Sequence, residues 1–397
     1  MTILDRTELA PADPILGLTE AFNSDDRTTK VNLGVGVYLG EDGRIPLLDS
    51  VRAAEERLTK AARPHGYLGI DGLASYNVAT KELVFGADSD AVGSGRITTV
   101  QTLGGTGALK VAADFLRTID GDATVLISSP SWENHRALFT RAGYPVEEYR
   151  YYSRETRGID FDGMLEDLRA AAPGTIVVLH ACCHNPTGYD LDSAQWDRVI
   201  SVIREGELVA LVDMAYQGFG FGIEEDGAVI GKFIDAGLEF LVTTSFSKSF
   251  SLYGERIGAL HVVSPDAETA RKVLSQLKIC IRTNYSNPAT QGAALVDTIL
   301  RDPELRASWE NELAGMRNRI KSLRGRLVQG LREHGIEDMD FINDQLGMFS
   351  YSGLSKDQMI ALRTEHAVYG TDSGRMCVAA LNSSNVDHVA QAIAAVR

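Results

Sequence analysis

The sequence lacks most features that mark a specialised class. It has four cysteines in 397 residues, two of them adjacent at Cys182 and Cys183. That is neither the density nor the spacing of a disulfide scaffold or a zinc site. A reducing, cytoplasmic setting is expected, with no metal. No run of about 18 apolar residues is present to span a bilayer. Asp5 and Arg6 stand where a signal peptide would need its apolar stretch. No membrane partner is therefore expected. Basic residues are the minority, 39 Lys and Arg against 54 Asp and Glu, for a net charge of −15. A body that acidic repels phosphate backbones at long range, which argues against nucleic acid as a partner. It also makes any local arginine site for a small anion more telling. No repeat period, low-complexity tract or charge block marks a linker.

What remains is ordinary globular material, 44% hydrophobic and 23% charged. The length suggests two to three domains, or one large α/β domain with an appendage. Short apolar runs at 97–102, 124–128, 175–180, 208–213, 241–245 and 257–262 are β-branched or Leu-rich, and helical stretches separate them. Strands buried on both faces between helices predict a mostly parallel sheet with right-handed crossovers. After residue 300 the texture changes. Asp302-Pro303 is a helix start, with an N-cap acceptor and proline at the first helical position. Leu305, Trp309, Leu313, Met316, Ile320, Leu323, Leu327 and Leu331 then recur every three or four residues, and Gly335 is placed to end the helix. This stripe is expected to be core, opening a second, smaller α+β domain.

Ligands of open α/β sheets bind beyond the carboxyl ends of the strands, so the residues there are the candidates for chemistry. Gly104, Gly105, Thr106 and Gly107 follow the first run and open a helix, an arrangement that lets backbone N–H groups approach a phosphate. A tight strand-to-helix turn would need glycine anyway. The spacing is not the dinucleotide fingerprint, because Lys110 occupies its last glycine position, and no Gly-Lys-Ser/Thr follows as in a P-loop. Trp132, Asn185, Asp213 with Tyr216, and Lys248 among Ser245, Ser247 and Ser249 follow the next four runs. Taken singly, Lys248 reads as a surface charge or a Schiff-base amine, Asp213 as an N-cap or the partner of a protonated ring nitrogen, and Trp132 as core or a ring-stacking face. Arg256, eight residues after Lys248, suits a bidentate phosphate grip. Together these are the parts needed to hold pyridoxal 5′-phosphate.

The same segments carry a family resemblance. Gln101-Thr-Leu-Gly-Gly-Thr-Gly-Ala-Leu, Cys182-Cys-His-Asn-Pro-Thr-Gly, Asp213-Met-Ala-Tyr-Gln-Gly-Phe and Ser245-Phe-Ser-Lys-Ser-Phe-Ser-Leu-Tyr-Gly-Glu-Arg resemble fold-type I aspartate/aromatic-amino-acid aminotransferases. Asn284-Tyr-Ser-Asn-Pro and Ser373-Gly-Arg-Met-Cys-Val-Ala do so too, and the likeness runs from Pro14 through essentially the whole chain. It implies a large cofactor-binding domain over 45–303 and a small domain made of 1–44 and 304–397. Within the family the chain is most similar to bacterial enzymes that act on both aspartate and aromatic amino acids.

The resemblance also implies roles. Lys248 matches the Schiff-base lysine, Asp213 the ring-nitrogen partner, and Tyr216 with Asn185 the phenolate-oxygen contacts. Trp132 matches the residue that packs on the ring and reaches the substrate carboxylate. Gly105, Thr106, Ser245 and Arg256 match the phosphate site, with Tyr67 reaching it from the other subunit of a homodimer. Arg375 matches the α-carboxylate arginine, and Arg282 the one donated by the neighbouring subunit to a distal carboxylate. Gly36 lies in the segment that closes over substrate. Val35, Val37, Leu39 and Ile45 make the segment near the substrate entrance apolar; Leu39 and Ile45 resemble the aromatic-tolerant members, whereas Thr106 and Asn287 resemble the aspartate type, so broad specificity is expected. Cis peptide bonds are expected before Pro130 and Pro186.

The implied activity is ping-pong transamination with 2-oxoglutarate as acceptor. Decarboxylation or C–S elimination on the same cofactor is disfavoured by the two arginines, which suit dicarboxylate exchange. A nicotinamide dehydrogenase is disfavoured by the glycine spacing. A non-catalytic sensor is disfavoured by intact Lys248 and Asp213 and by the absence of an added DNA-binding segment.

Overall fold

A computed structural model describes residues 2–9 and 16–397. Pro14, where the family likeness begins, lies outside the described residues. The centre is a seven-stranded sheet of β1 (Ile97–Leu103), β2 (Val125–Ser129), β3 (Val146–Arg150), β4 (Ile176–His180), β5 (Val209–Met214), β6 (Phe240–Ser245) and β7 (Ile257–Val263). Their order across the sheet is β1-β7-β6-β5-β4-β2-β3. Four of the pairings are parallel, and β7 alone runs antiparallel to both its neighbours. The sheet is thus mostly parallel, as expected, within one residue of the predicted ends. Every position of β6 and β7 is buried, which is why these strands read as continuous apolar runs.

Strand β3 escaped prediction for a physical reason. It lies at the sheet edge, with Glu147, Glu148 and Arg150 exposed and Tyr149 buried. Charge on an edge strand discourages pairing with other chains, and it also erases the apolar signal. The sheet direction matters for the site. β2, β4, β5 and β6 end at one edge, and antiparallel β7 begins there, so Arg256 arrives at that same edge just ahead of Ile257.

Helix α1 (Gly104–Ile119) follows β1 with no intervening loop; the glycines form its first turn. Helix α2 (Ala267–Asn284) packs beside it. Helix α3 (Pro303–Glu333) starts as predicted. The Asp302 carboxylate accepts from the Glu304 and Leu305 N–H groups, and Gly335 with φ +83° lies just past the end. All eight stripe residues are buried. One of them also serves the site: the Trp309 indole donates to the Ser249 carbonyl at 2.7 Å and its ring stacks on Phe250 at 4.4 Å, fixing the turn after Lys248. Beyond α3, the strand Phe349–Tyr351 pairs antiparallel with Arg375–Cys377, and Val31–Asn32 pairs parallel with Val368–Tyr369. The chain's beginning is therefore built into its C-terminal region. No helix among the described residues is long and apolar enough to cross a membrane.

Gly258 in β7 lets the start of α1 press on the sheet. A Cβ there would sit 2.5 Å from the Thr244 carbonyl oxygen and 2.6 Å from the Gly104 carbonyl carbon. Both are backbone atoms that cannot swing aside. Gly258→Ala should destabilise the protein by about 2–3 kcal/mol, seen as a lower urea midpoint at unchanged slope. An unshifted midpoint would mean the contact relaxes freely.

Candidate active site

Nine of the residues singled out in the sequence line one cavity of about 190 Å³ at the strand-end edge: Gly105, Thr106, Trp132, Asn185, Asp213, Tyr216, Ser245, Lys248 and Arg256. The sheet register explains part of this convergence. His180 on β4 is opposite Asp213 on β5, which is opposite Thr243 on β6. Three polar side chains thereby form a row across three buried strands.

Asp213 is buried at the floor of this row. Burial opposes its charge, but the His135 ring donates to Oδ2 at 3.1 Å and the Thr243 hydroxyl to Oδ1 at 2.9 Å. These bonds, with the nearby His135 and His180 rings, hold the carboxyl below its usual range. His135 is in turn oriented by Ser131 at 2.9 Å. His180 is pushed down to about 3, by burial first and by His135 second, so it is neutral. Its Nδ1 accepts the Asn185 backbone N–H at 3.1 Å.

The Lys248 amine lies 4.7 Å from the centroid of the Tyr216 ring. Burial lowers it to about 8, against the Asp213 charge that raises it; Arg256 and Arg375 lower it further. Burial also pushes the Tyr216 phenol up, so it keeps its proton and can donate. A lysine poised near neutrality beside an ionised carboxylate is an arrangement suited to proton transfer and to attack on a carbonyl.

An anion cradle faces this pair. The N-cap of α1, Leu103, offers no side-chain acceptor, so the first N–H groups of the helix have no cap partner. A Cβ on Gly105 would press on Ser245 at 3.2 Å, and one on Gly104 would meet Arg256 Nη2 at 2.8 Å. Glycine is needed here for close approach, and at Gly104 for its φ of +69° as well. The glycines are thus the donor end of a helix, as expected.

Arg375 is the second cationic element. It is 1% exposed, and its Nη atoms donate to Asn185 Oδ1 at 3.1 Å and to the Gly34 carbonyl at 2.8 Å. Its Nε is buried with no hydrogen-bond partner among the described residues. An orphaned guanidinium N–H beside the cavity fits a carboxylate ligand.

Other expected residues stand apart. Gly36 packs on the Phe349 ring, where a Cβ would come within 2.7 Å of Cζ. Tyr67 is 96% exposed, exposed Arg282 near the end of α2 bonds Ser286, and neither lines the cavity of this chain. Leu39 is half-buried and Ile45 exposed, and neither lines the cavity either. Asn287 donates to the Leu68 carbonyl at 3.3 Å, next to Tyr67. The bonds before Pro130 and Pro186 are cis, as expected. All four cysteines are free. Cys182 and Cys183 come within 4.8 Å of Asp226, whose carboxylate is already taken by the N–H groups of Gly218, Gly220 and Phe221.

Sequence reasoning missed His135, His180, Thr243, Tyr253 and Phe349. His180 closes a predicted strand, and Tyr253 follows Lys248 by five residues, its hydroxyl oxygen accepting the Tyr38 backbone N–H at 2.8 Å. His135, three residues after Trp132, and Thr243, inside an apolar run, gave no signal separable from core.

A family model described as aminotransferase class I and II matches residues 28–393. The chain is 54% identical to an aspartate aminotransferase of Pseudomonas aeruginosa, covering 99% of each chain. It is 48% identical to an aromatic-amino-acid aminotransferase of Escherichia coli, over 99% of this chain and 100% of that one. The crystal structure of an aromatic-amino-acid aminotransferase from Burkholderia pseudomallei, covalently bound to pyridoxal phosphate, superposes over 100% of both chains with a TM-score of 0.98 and 57% identity. This chain belongs to the class I and II aminotransferases.

Proposed function

We propose that this chain is a pyridoxal-phosphate aminotransferase that moves the amino group between aspartate or aromatic amino acids and 2-oxoglutarate. The observation that carries the reading is the single cavity in which the Lys248 amine, the pinned Asp213 carboxylate and a helix N-terminus converge. The donor set fits the cofactor: an amine near pKa 8, an ionised carboxylate for a ring nitrogen, a protonated phenol, and a glycine cradle that a Cβ would fill. Pyridoxal phosphate, when bound, supplies an aldehyde for amines and a protonated ring that accepts electron density from Cα.

The chain's own residues do the rest. Gly105, Thr106, Ser245 and Arg256 would hold the phosphate, joined by Tyr67 from a second copy. Asp213 keeps the ring nitrogen protonated, its own charge secured by His135 and Thr243. Asn185 and Tyr216 would hold the phenolate oxygen, and Trp132 would pack on the ring. Arg375 binds the α-carboxylate through its fork and free Nε. Arg282 of a second copy receives a distal carboxylate, which accounts for its exposure here. Lys248 Nζ takes the Cα proton, and a pKa near 8 matches that task at neutral pH. The division into 45–303 and 1–44 with 304–397 belongs to this reading and is supported by the pairing of Val31–Asn32 with Val368–Tyr369. A reducing cytoplasm suits four free cysteines.

Three outcomes test the reading. Lys248→Ala should still take up cofactor yet lose about 10⁴-fold or more in turnover, and near-normal kcat would refute it. Arg282→Ala should lower kcat/KM for aspartate by about 10²-fold or more while changing phenylalanine less than about tenfold, both assayed with 2-oxoglutarate. Equal losses on both substrates would remove Arg282 from the distal site. In the cofactor-free protein, pyridoxal phosphate capture should rise with pH through about 8, and Asp213→Asn should shift that titration lower by removing the charge that raises it. Because the folded pKa lies below the ordinary 10.5, the unfolded chain binds the extra proton between those values, and the Lys248 contribution to stability improves as pH rises through them.

A further inference from the structure

Helix α3 buries one charged side chain in its apolar face. Arg324 is 4% exposed and forms no ion pair among the described residues. Its Nη2 donates to the Gly347 carbonyl at 2.7 Å and the Phe349 carbonyl at 3.0 Å, and its Nε to Ser350 Oγ at 3.3 Å. A guanidinium buried without a counter-charge is unfavourable beside the leucines that fill the rest of the stripe. Its planar fork is, however, able to hold several backbone acceptors at once, which no apolar residue can do.

The segment it grips touches the candidate site on two sides. Gly347, at φ +76°, lies so close to Cys183 that a Cβ would be 2.5 Å from the Cys183 Cβ, and the Leu346 N–H donates to the Gly188 carbonyl at 2.6 Å. The turn is thus pressed on the 183–188 segment that carries Asn185. On the other side, Phe349–Tyr351 pairs with Arg375–Cys377, Tyr351 directly opposite Arg375. The Phe349 ring lies 4.5 Å from the Arg375 guanidinium and meets the Tyr216 ring edge-on at 5.8 Å. Gly36 rests on the same ring.

We propose that Arg324 is a positioning residue for substrate carboxylate binding: by fixing the carbonyls of Gly347 and Phe349 it sets the Phe349 ring as the plate against which Arg375 is held. Arg324 itself touches neither Arg375 nor the cavity. The inference rests on the reading of Arg375 as the α-carboxylate arginine. Displacing such a plate by even part of an ångström misdirects the fork, an effect out of proportion to the shift.

The test uses the holoenzyme and two unreactive probes, succinate and 3-phenylpropionate, titrated through the visible absorption of the bound cofactor. Arg324→Met should leave that absorption in place and weaken both probes by about 10- to 100-fold, with the loss in kcat/KM falling mainly on KM. Arg324→Lys, which keeps the charge and part of the donor set, should recover some of the affinity. Phe349→Leu should reproduce the Arg324→Met loss, and the double variant should lose little more than either. Native affinity for both probes in Arg324→Met, or in Phe349→Leu where Arg324→Met does not fold, overturns the proposal. Additive losses in the double variant also overturn it, since the two residues would then act separately. If Arg375→Ala keeps native probe affinity, the underlying reading of Arg375 fails, and a separate result, cofactor uptake without turnover in Lys248→Ala, still stands for the wider function.

Discussion

The interaction on which the site depends is the ionised Asp213 carboxylate, held at the end of a buried strand. A charge in that position is tolerable only when its lone pairs are met by donors. His135 and Thr243 meet them, and each is fixed in turn, His135 by Ser131 and Thr243 by its place directly across the sheet. The neighbouring imidazoles do not compete for the charge. His180 and His184 are both driven neutral by burial, and they stack on each other at 4.2 Å between His135 and Tyr151. Asp213 is therefore the one negative group among the residues lining the cavity, set against Lys248 and Arg256, with Arg375 alongside. A protein of net charge −15 thus presents a locally cationic pocket, suited to phosphate and carboxylate groups, while the rest of the surface repels polyanions.

The fold supplies this arrangement with few devices. Parallel strands bring their carboxyl ends to one edge, and their turns deliver Trp132, Asn185, Tyr216 and Lys248 from separate parts of the chain. The single antiparallel strand adds what parallel strands cannot, a residue that enters from the amino end, and Arg256 arrives that way. Gly258 on that strand then admits the start of α1 at the closeness the anion cradle requires. The long helix contributes from outside the sheet, through Trp309 on the Ser249 carbonyl. Position 248 is consequently held from both flanks, by the end of β6 and by the indole.

What the sequence made legible follows the same physics. Lys248, Asp213, Asn185 and Trp132 were readable because short apolar runs end abruptly in polar residues, and strand ends are where such sheets bind ligands. The α3 stripe was readable because eight apolar residues keep helical spacing after a capping Asp-Pro. Strand β3 was not, since Glu147 and Glu148 make it look like a surface turn. Thr243 and His135 were not, because their importance lies in cross-strand register and in a contact between distant segments, neither of which leaves a local pattern. The glycines at 104–107 were readable as the opening of a helix able to face an anion, and the helix does start on Gly104. Tyr67 and Arg282 could be singled out only through family likeness; on this chain they look like any exposed side chains.

Arg375 shows how recognition and conformation are joined. One guanidinium nitrogen bonds Asn185 of the cavity wall and the other the Gly34 carbonyl, two residues before Gly36. The N-terminal segment is further tied to the C-terminal region at Leu39, whose N–H donates to the Ala379 carbonyl and whose own carbonyl accepts from Arg319. Arg375 is therefore bonded at once to the cavity wall and to the N-terminal segment. The closeness of Gly36 to Phe349 leaves no room there for a side chain that would hold the segment away. One side chain thus joins the cavity wall to the N-terminal segment.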